Sequence, residues 1–267
     1  DTAGTLTGIG TAGVIVANTA IGINSSGQVT GVGYNNLAPI VNTAIGVNSS
    51  GQLGNNTITS YSSPVLIPGP ASTPNNWSSI ACGYNHIIAL QKNGTIWSWG
   101  NNASGQLGLG NTTSYSSPKQ VGSLTNWSSI TAADYYSLAI KTDGTLWAWG
   151  YNNFGQFGNG NTVNNPSPAQ IGSLTNWLSV SGGGYTAAAV KTDGTLWTWG
   201  YNGLGQLGLN TSVSTSISSP MQVGSLTNWS TISVSGAGAS IMLAIKTDGS
   251  LWSWGFGGYG GLGLNGS

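Results

Sequence analysis

Residues 139–150 read AIKTDGTLWAWG and residues 189–200 read AVKTDGTLWTWG. In each, two strand-forming runs flank an Asp-Gly pair, Asp143-Gly144 and Asp193-Gly194. Asp-Gly between such runs is a strong hairpin signal, because glycine tolerates the positive φ of a tight turn. Past the turn, side chains alternate with period two, so Trp147 and Trp149 share one face while Leu146 and Ala148 take the other. Both faces therefore want burial, as small sheets do when they pack face to face around an axis. No segment carries an apolar period of 3.6 over three turns, and almost no helix is expected.

The Trp-Gly step that closes this stretch recurs at Trp99-Gly100, Trp149-Gly150, Trp199-Gly200 and Trp254-Gly255, at spacings of 50, 50 and 55 residues. A period of this size means a solenoid, a propeller or an array. Each copy also carries Asn-Trp-x-Ser-Ile/Val upstream, then x-Asn-x-x-Gly-Gln-Leu-Gly and Ser-Pro-x-Gln-Val-Gly downstream, with small variations. The copies divide as 46–99, 100–149, 150–199 and 200–254, with a partial copy at 255–267. The first is degenerate: Ile45 to Gly54 stands where Trp99 to Gly108 stands in the next copy, without the tryptophan pair. The fourth is longer, by two residues before Pro220 and three around Ser235–Ala239.

Residues 1–45 have a different composition, lacking tryptophan and carrying Asp1 as their one charge. They hold a shorter repeat, TAIGINSSGQ at 19–28 returning as TAIGVNSSGQ at 43–52. The segment is expected to be an N-terminal β-rich arm for assembly or attachment. The alternative is that it completes the last blade, since Gly4 to Gly10 faintly echoes Gly144 to Gly150.

The run Gly-Thr-Leu-Trp-x-Trp-Gly-x-Asn-x-x-Gly-Gln-Leu-Gly, with its Ser-Pro and Ala-Ile-Lys-x-Asp-Gly, resembles the repeat of the regulator-of-chromosome-condensation family over about residues 40–267. The resemblance implies an all-β fold, a β-propeller of ~50-residue repeats built as four-stranded blades, usually seven of them in that family. It implies little about function, because the family includes exchange factors for small GTPases, secreted β-lactamase inhibitors and many phage and bacterial proteins. This chain departs from the pattern in having fewer copies. The family's Gly-x-x-His appears once, at Gly83-Tyr84-Asn85-His86, while later copies place Tyr136, Thr186 and Ser240 near that slot.

Composition narrows the chemistry. Of 267 residues, 4% are charged, with five lysines, five aspartates, no arginine and no glutamate; an ordinary globular chain is about 25% charged. No basic stripe exists to meet phosphates, so nucleic acid is not an expected partner, and an exchange factor's charged surface is missing. Twelve Trp, 10 Tyr and 39% hydrophobic residues speak against disorder. A single Cys82 rules out an intrachain disulfide and a multi-cysteine metal site. No run of 18 apolar residues is present, so no membrane insertion by a helix is expected. Asp1-Thr2-Ala3-Gly4 carries no signal-peptide features, either because there was none or because it has been removed.

Gly8-Ile9-Gly10-Thr11-Ala12-Gly13 spells G-x-G-x-x-G, but the required helix and the acid about 20 residues on are not there, and a dinucleotide site is rejected. His86 reads as a packed strand residue, and Cys82 as a small buried hydrophobe without a cationic neighbour. Asp143, Asp193 and Asp248 belong to the turns. The tryptophans recur in three repeat slots (Trp77, Trp127, Trp177 and Trp229; Trp97, Trp147, Trp197 and Trp252; Trp99, Trp149, Trp199 and Trp254), which marks them as scaffold rather than a carbohydrate platform. Asn-x-Ser/Thr triplets are numerous, as chance predicts for this composition.

Positions where the copies disagree are the candidates for binding: Asp134, Tyr135 and Tyr136, Tyr151 and Phe154, Tyr185, and Tyr201. Large rings with adaptable hydrogen-bonders on a rigid frame resemble a paratope. No catalytic residue, metal or cofactor is expected. The expected function is a non-enzymatic structural and binding propeller in an oligomeric assembly with protein partners. Its expected place is extracellular, on a virion or on a cell surface, as a phage or virus component, appendage or adhesin. A lectin-like module binding glycans is one alternative, and a polysaccharide-degrading tail protein using Asp134 another.

Overall fold

The computed structural model describes residues 21–23, 29–31, 48–61, 65–67, 76–210, 216–236, 241–257 and 262–263. The Gly4–Gly10 echo, the Gly8–Gly13 motif and most of the proposed arm lie outside the described residues, as do most of both insertions in the last copy.

The described chain forms five antiparallel sheets and no helix. The first holds β1 (Ile21–Ile23), β2 (Val29–Gly31) and β3 (Val65–Leu66). The second holds β4 (Trp77–Cys82), β5 (His86–Gln91), β6 (Ile96–Gly100) and β7 (Tyr115–Gln120). The third holds β8 (Trp127–Ala132), β9 (Tyr136–Lys141), β10 (Leu146–Gly150) and β11 (Asn165–Gln170). The fourth holds β12 (Trp177–Gly183), β13 (Thr186–Lys191), β14 (Leu196–Gly200) and β15 (Ile217–Gln222). The fifth holds β16 (Trp229–Val234), β17 (Ile241–Lys246) and β18 (Leu251–Gly255), with β15 paired to the sheet before it. Each four-stranded sheet starts at the tryptophan of Asn-Trp and crosses one Trp-Gly step, so the sheet is offset from the sequence repeat divided at that step. Consecutive sheets touch through their first and second strands, as the blades of a propeller do.

Each hairpin closes as the sequence requires. Gly144 N donates to Lys141 O (2.9 Å) and Lys141 N to Thr145 O (3.0 Å), with Gly144 at φ +77°. This is the three-residue form, a turn followed by a left-handed glycine. A Cβ on Gly144 would fall 2.1 Å from Thr175 O, so the turn is pressed against the next sheet's lead-in. Asp143 Oδ1 accepts from Thr145 N (3.0 Å) and Thr145 Oγ1 (2.6 Å), and Trp147 Nε1 donates to that same hydroxyl (2.9 Å). Those hydrogen bonds to the carboxylate, with Lys141 beside it, hold Asp143 below its ordinary pKa.

The core lies between sheets. Leu138, Ile140, Leu146 and Ala148 on one face of the third sheet pack with Trp177, Ala187, Ala189 and Trp199 of the fourth. Ala188, Val190 and Leu196 on the far face of the fourth meet Trp229, Ile232, Met242 and Ala244 of the fifth. Both faces of a blade are thus apolar for the same reason, each being the floor of one interface and the roof of another. The tryptophan slots serve this packing: Trp127 lies edge-on to Trp147 at 5.7 Å, and Trp77, Trp177 and Trp229 repeat the contact.

The Asn-x-x-Gly-Gln-Leu-Gly loop clasps successive blades. Asn102 Nδ2 donates to Asn111 O (2.9 Å) and Thr113 O (3.0 Å) while its Oδ1 accepts from Leu107 N (2.9 Å). Gln106 O then accepts from Trp149 Nε1 of the next sheet (2.9 Å), and Trp99 and Trp199 reach Gln52 O and Gln156 O in the same way. At Gly108 (φ +72°) a Cβ would meet the Trp149 indole nitrogen at 2.8 Å, which is why the clasp ends in glycine.

The fifth sheet breaks the pattern on one side. Leu243, Ile245 and Leu251 occupy the slots of Leu138, Ile140 and Leu146, yet Leu251 is 66% exposed where Leu146 is fully buried.

Candidate binding site

Two sets of loops meet at the end of the second, third and fourth sheets opposite their hairpin turns. One joins the first and second strands, and the other leaves the third strand after Trp-Gly. Backbone bonds tie them: Asn101 N donates to Asn85 O (2.8 Å), Tyr151 N to Tyr135 O (3.0 Å) and Tyr201 N to Tyr185 O (2.9 Å). Gly150, at φ +105°, allows the approach, since a Cβ there would fall 2.7 Å from Tyr135 O.

This tie brings six rings from three sheets into one cluster. Tyr84 and Tyr135 have ring centroids 5.9 Å apart, and Tyr135 stacks on Tyr185 at 6.3 Å with an interplanar angle of 19°. Tyr151 touches Tyr135 (6.3 Å) and Tyr185 (5.8 Å). Phe154 links Tyr185 (4.7 Å) to Tyr201 (5.3 Å). All six keep part of their surface in solvent. Asp134 lies within electrostatic reach: burial first, then neighbouring phenols and this carboxylate, raise the pKa of Tyr135 and of Tyr185. Six of the seven residues singled out by copy-to-copy variation therefore belong to this end. Tyr84 joins them; its signal was its place in the same variable stretch.

The expectation for Tyr136 is corrected. It begins β9 and points into the interface between sheets, fully buried, with its hydroxyl donating to Thr186 O (2.6 Å). β9 begins at Tyr136, whose ring enters the packed layer between sheets, whereas Tyr135 stays in the loop before the strand and keeps part of its surface in solvent. Its pKa is raised well above the ordinary value, mainly by that burial.

His86 is a structural residue of the preceding interface, between the second and third sheets. Ser137 Oγ donates to Gln106 O (2.9 Å) and so accepts from His86 Nε2–H (2.9 Å). Burial lowers the imidazole pKa to about 3. The Cys82 thiol is likewise pushed up to about 12 by burial, which leaves it without thiolate at neutral pH. Among the described residues no group of three or more His, Cys, Asp or Glu could hold a metal. The described loops of this end carry Asp134 as their one carboxylate, whereas glycoside cleavage uses two, about 5–9.5 Å apart. Among the described residues no helix is long and apolar enough to cross a membrane.

A rigid stack of blades with variable aromatic loops at one end defines a β-propeller binding domain. The RCC1-like domain matches residues 18–267, and the chain belongs to that family. Yeast Prp20p, whose structure was described with its binding to Gsp1p and histones, superposes with a TM-score of 0.75 at 20% identity, over 94% of this chain and 59% of Prp20p. Human WBSCR16 gives 0.71 at 22%, over 86% of this chain and 57% of that protein. The Xenopus laevis RCC2 homolog is 52% identical over 42 residues, 15% of this chain and 8% of its own length. A Dictyostelium discoideum bifunctional serine/threonine kinase/NEDD4-like E3 ubiquitin ligase is 44% identical over 73 residues, 26% of this chain and 4% of that protein. The chain thus matches less than a tenth of the length of these two curated relatives.

The expectation of an extracellular, virion or cell-surface location is overturned by two of these relatives, RCC2 and Prp20p, which are intracellular chromatin and nuclear regulators. Most of the few charges the chain carries sit in one turn repeated from blade to blade, and a turn says nothing about compartment.

Proposed function

We propose that this chain is a non-catalytic propeller that binds a protein partner through the end bearing Tyr84, Tyr135, Tyr151, Phe154, Tyr185 and Tyr201. The observation behind this reading is the cluster itself. The blades agree nearly residue for residue where they pack, yet differ at these loops, and the differing residues meet as one ring surface open to solvent. Aromatic side chains with few rotatable bonds provide contact area at low entropic cost, and such rings dominate protein interfaces.

The partners named for Prp20p, namely Gsp1p, histones and Kap60, form the first panel for a binding test. The double variant Tyr135→Ser/Tyr185→Ser is compared with Thr142→Ser/Thr192→Ser at the turn end, with circular dichroism confirming that each is folded. Loss of binding in the first variant alone supports the reading. Equal binding by both, or loss with the turn-end variant alone, refutes it.

A further inference from the structure

The chain's own lysines show how its aromatic rings are used. Lys141 Nζ lies 3.5 Å from the Trp147 ring centroid and 5.0 Å from that of Trp127. Lys191 and Lys246 repeat the arrangement, 3.7 and 3.8 Å from Trp197 and Trp252. Each ammonium sits between the negative faces of two indoles. Lys119 lies over Tyr115 at 5.4 Å. At the turn end, three blades thus fill an aromatic pair with a cation of their own.

The opposite end carries a larger set of rings. Among the described residues, no lysine lies over Tyr135, Tyr151, Phe154, Tyr185 or Tyr201. The loops that hold these rings contribute one charge, and it is negative: Asp134. We infer that this cluster receives a cationic side chain, lysine or arginine, from a basic segment of a partner protein, with the ring faces as its bed and Asp134 as its counter-charge. The inference rests on reading this end as the protein-binding surface.

Charge and shape both favour this occupant. Tyrosine faces attract a cation, and a guanidinium also stacks flat on them. An acidic or phosphorylated segment would meet Asp134 with like charge. A neutral sugar would stack on the rings and donate hydroxyls to the carboxylate, but would leave its charge unneutralised. Asp134 also acts on the rings directly, since its Coulomb field contributes to the raised pKa of Tyr135 and Tyr185.

The test is calorimetric titration of the whole chain with the peptide Gly-Arg-Gly-Lys-Gly-Arg-Gly and its neutral twin Gly-Gln-Gly-Gln-Gly-Gln-Gly, with tyrosine ring NMR shifts locating the contact. Tight preference for the basic peptide is expected, with shifts at Tyr135 and Tyr185. Tyr185→Leu, which keeps bulk and removes the ring, and Asp134→Asn should each weaken the basic peptide by about tenfold. Equal binding of the two peptides, both lost in Tyr185→Leu, overturns the cationic inference and leaves a protein-binding surface standing. Binding of the basic peptide that both variants leave unchanged overturns it too. Tyrosine shifts produced by a neutral oligosaccharide and by neither peptide would overturn both the inference and the reading beneath it.

Discussion

Leu146 and Leu251 occupy the same slot in two copies of the repeat, each opening the strand after an Asp-Gly turn. Their environments differ: Leu146 is fully buried between the third and fourth sheets, and Leu251 is 66% exposed on the outer side of the fifth. Leu→Ala removes three carbons, worth about 0.8 kcal/mol each on transfer, or about 2.4 kcal/mol for a fully buried side chain. The cavity left behind raises that toward about 3–4 kcal/mol. At Leu251 roughly a third of the transfer contribution applies and no closed cavity forms, so the cost stays under about 1 kcal/mol. With a urea m-value of about 2 kcal/mol/M, Leu146→Ala should move the unfolding midpoint by about 1.5 M, and Leu251→Ala by less than about 0.5 M. Equilibrium urea unfolding followed by tryptophan fluorescence reads both. Hydrogen exchange by blade shows whether the loss stays near the substitution, as in a chain of nearest-neighbour units. Equal costs at the two positions would refute the reasoning, because they would require the outer face of the fifth sheet to be covered in solution. Repeating the measurement at two protein concentrations distinguishes cover by another copy from cover within the chain.

Three further outcomes follow from the same geometry. His86 has a folded pKa of about 3, below its unfolded value, so the unfolded chain binds the extra proton between about pH 6.5 and 3. Stability should therefore be full above that window and fall as pH drops through it, by about 2–3 kcal/mol at pH 4.5; His86→Gln should flatten this slope in pH-dependent denaturation. Asp143→Asn should leave the melting midpoint unchanged, since Asn93 already does this work in the second sheet, accepting from Thr95 N (3.1 Å) and Oγ1 (2.8 Å). Asp143→Ala, which removes the one oxygen that accepts both bonds, should lower it. Gly108→Ala should destabilise more than Gly122→Ala: both glycines have positive φ, but a Cβ at the first meets Trp149 at 2.8 Å and at the second meets nothing within 4 Å. Differential scanning calorimetry of the pair separates backbone strain from collision.

Much of this architecture was legible in the chain, because a blade is a local object. Asp-Gly fixes the hairpin, alternation puts Trp147 and Trp149 on one face, and the period near 50 residues copies the result. His86 and Cys82 also read correctly as packed residues, since neither had a charged neighbour in sequence to suggest chemistry. The candidate site was partly legible. Disagreement among copies pointed to loops that the structure gathers at one end, but could not separate Tyr135 from Tyr136, which differ in where the strand begins. Location was misjudged, because composition records how many charges a chain has and not what they are for.

By itself, the sequence determined the β class, the hairpins, the tryptophan scaffold and the variable loops, all consequences of residues near one another along the chain. Tertiary structure decided three other things. It set which of two adjacent tyrosines faces water, gathered rings from three blades into one surface beside Asp134, and left Leu251 open where Leu146 is sealed. Identical slots acquire different fates because burial depends on the neighbouring blade, and no residue encodes its neighbour's position alone.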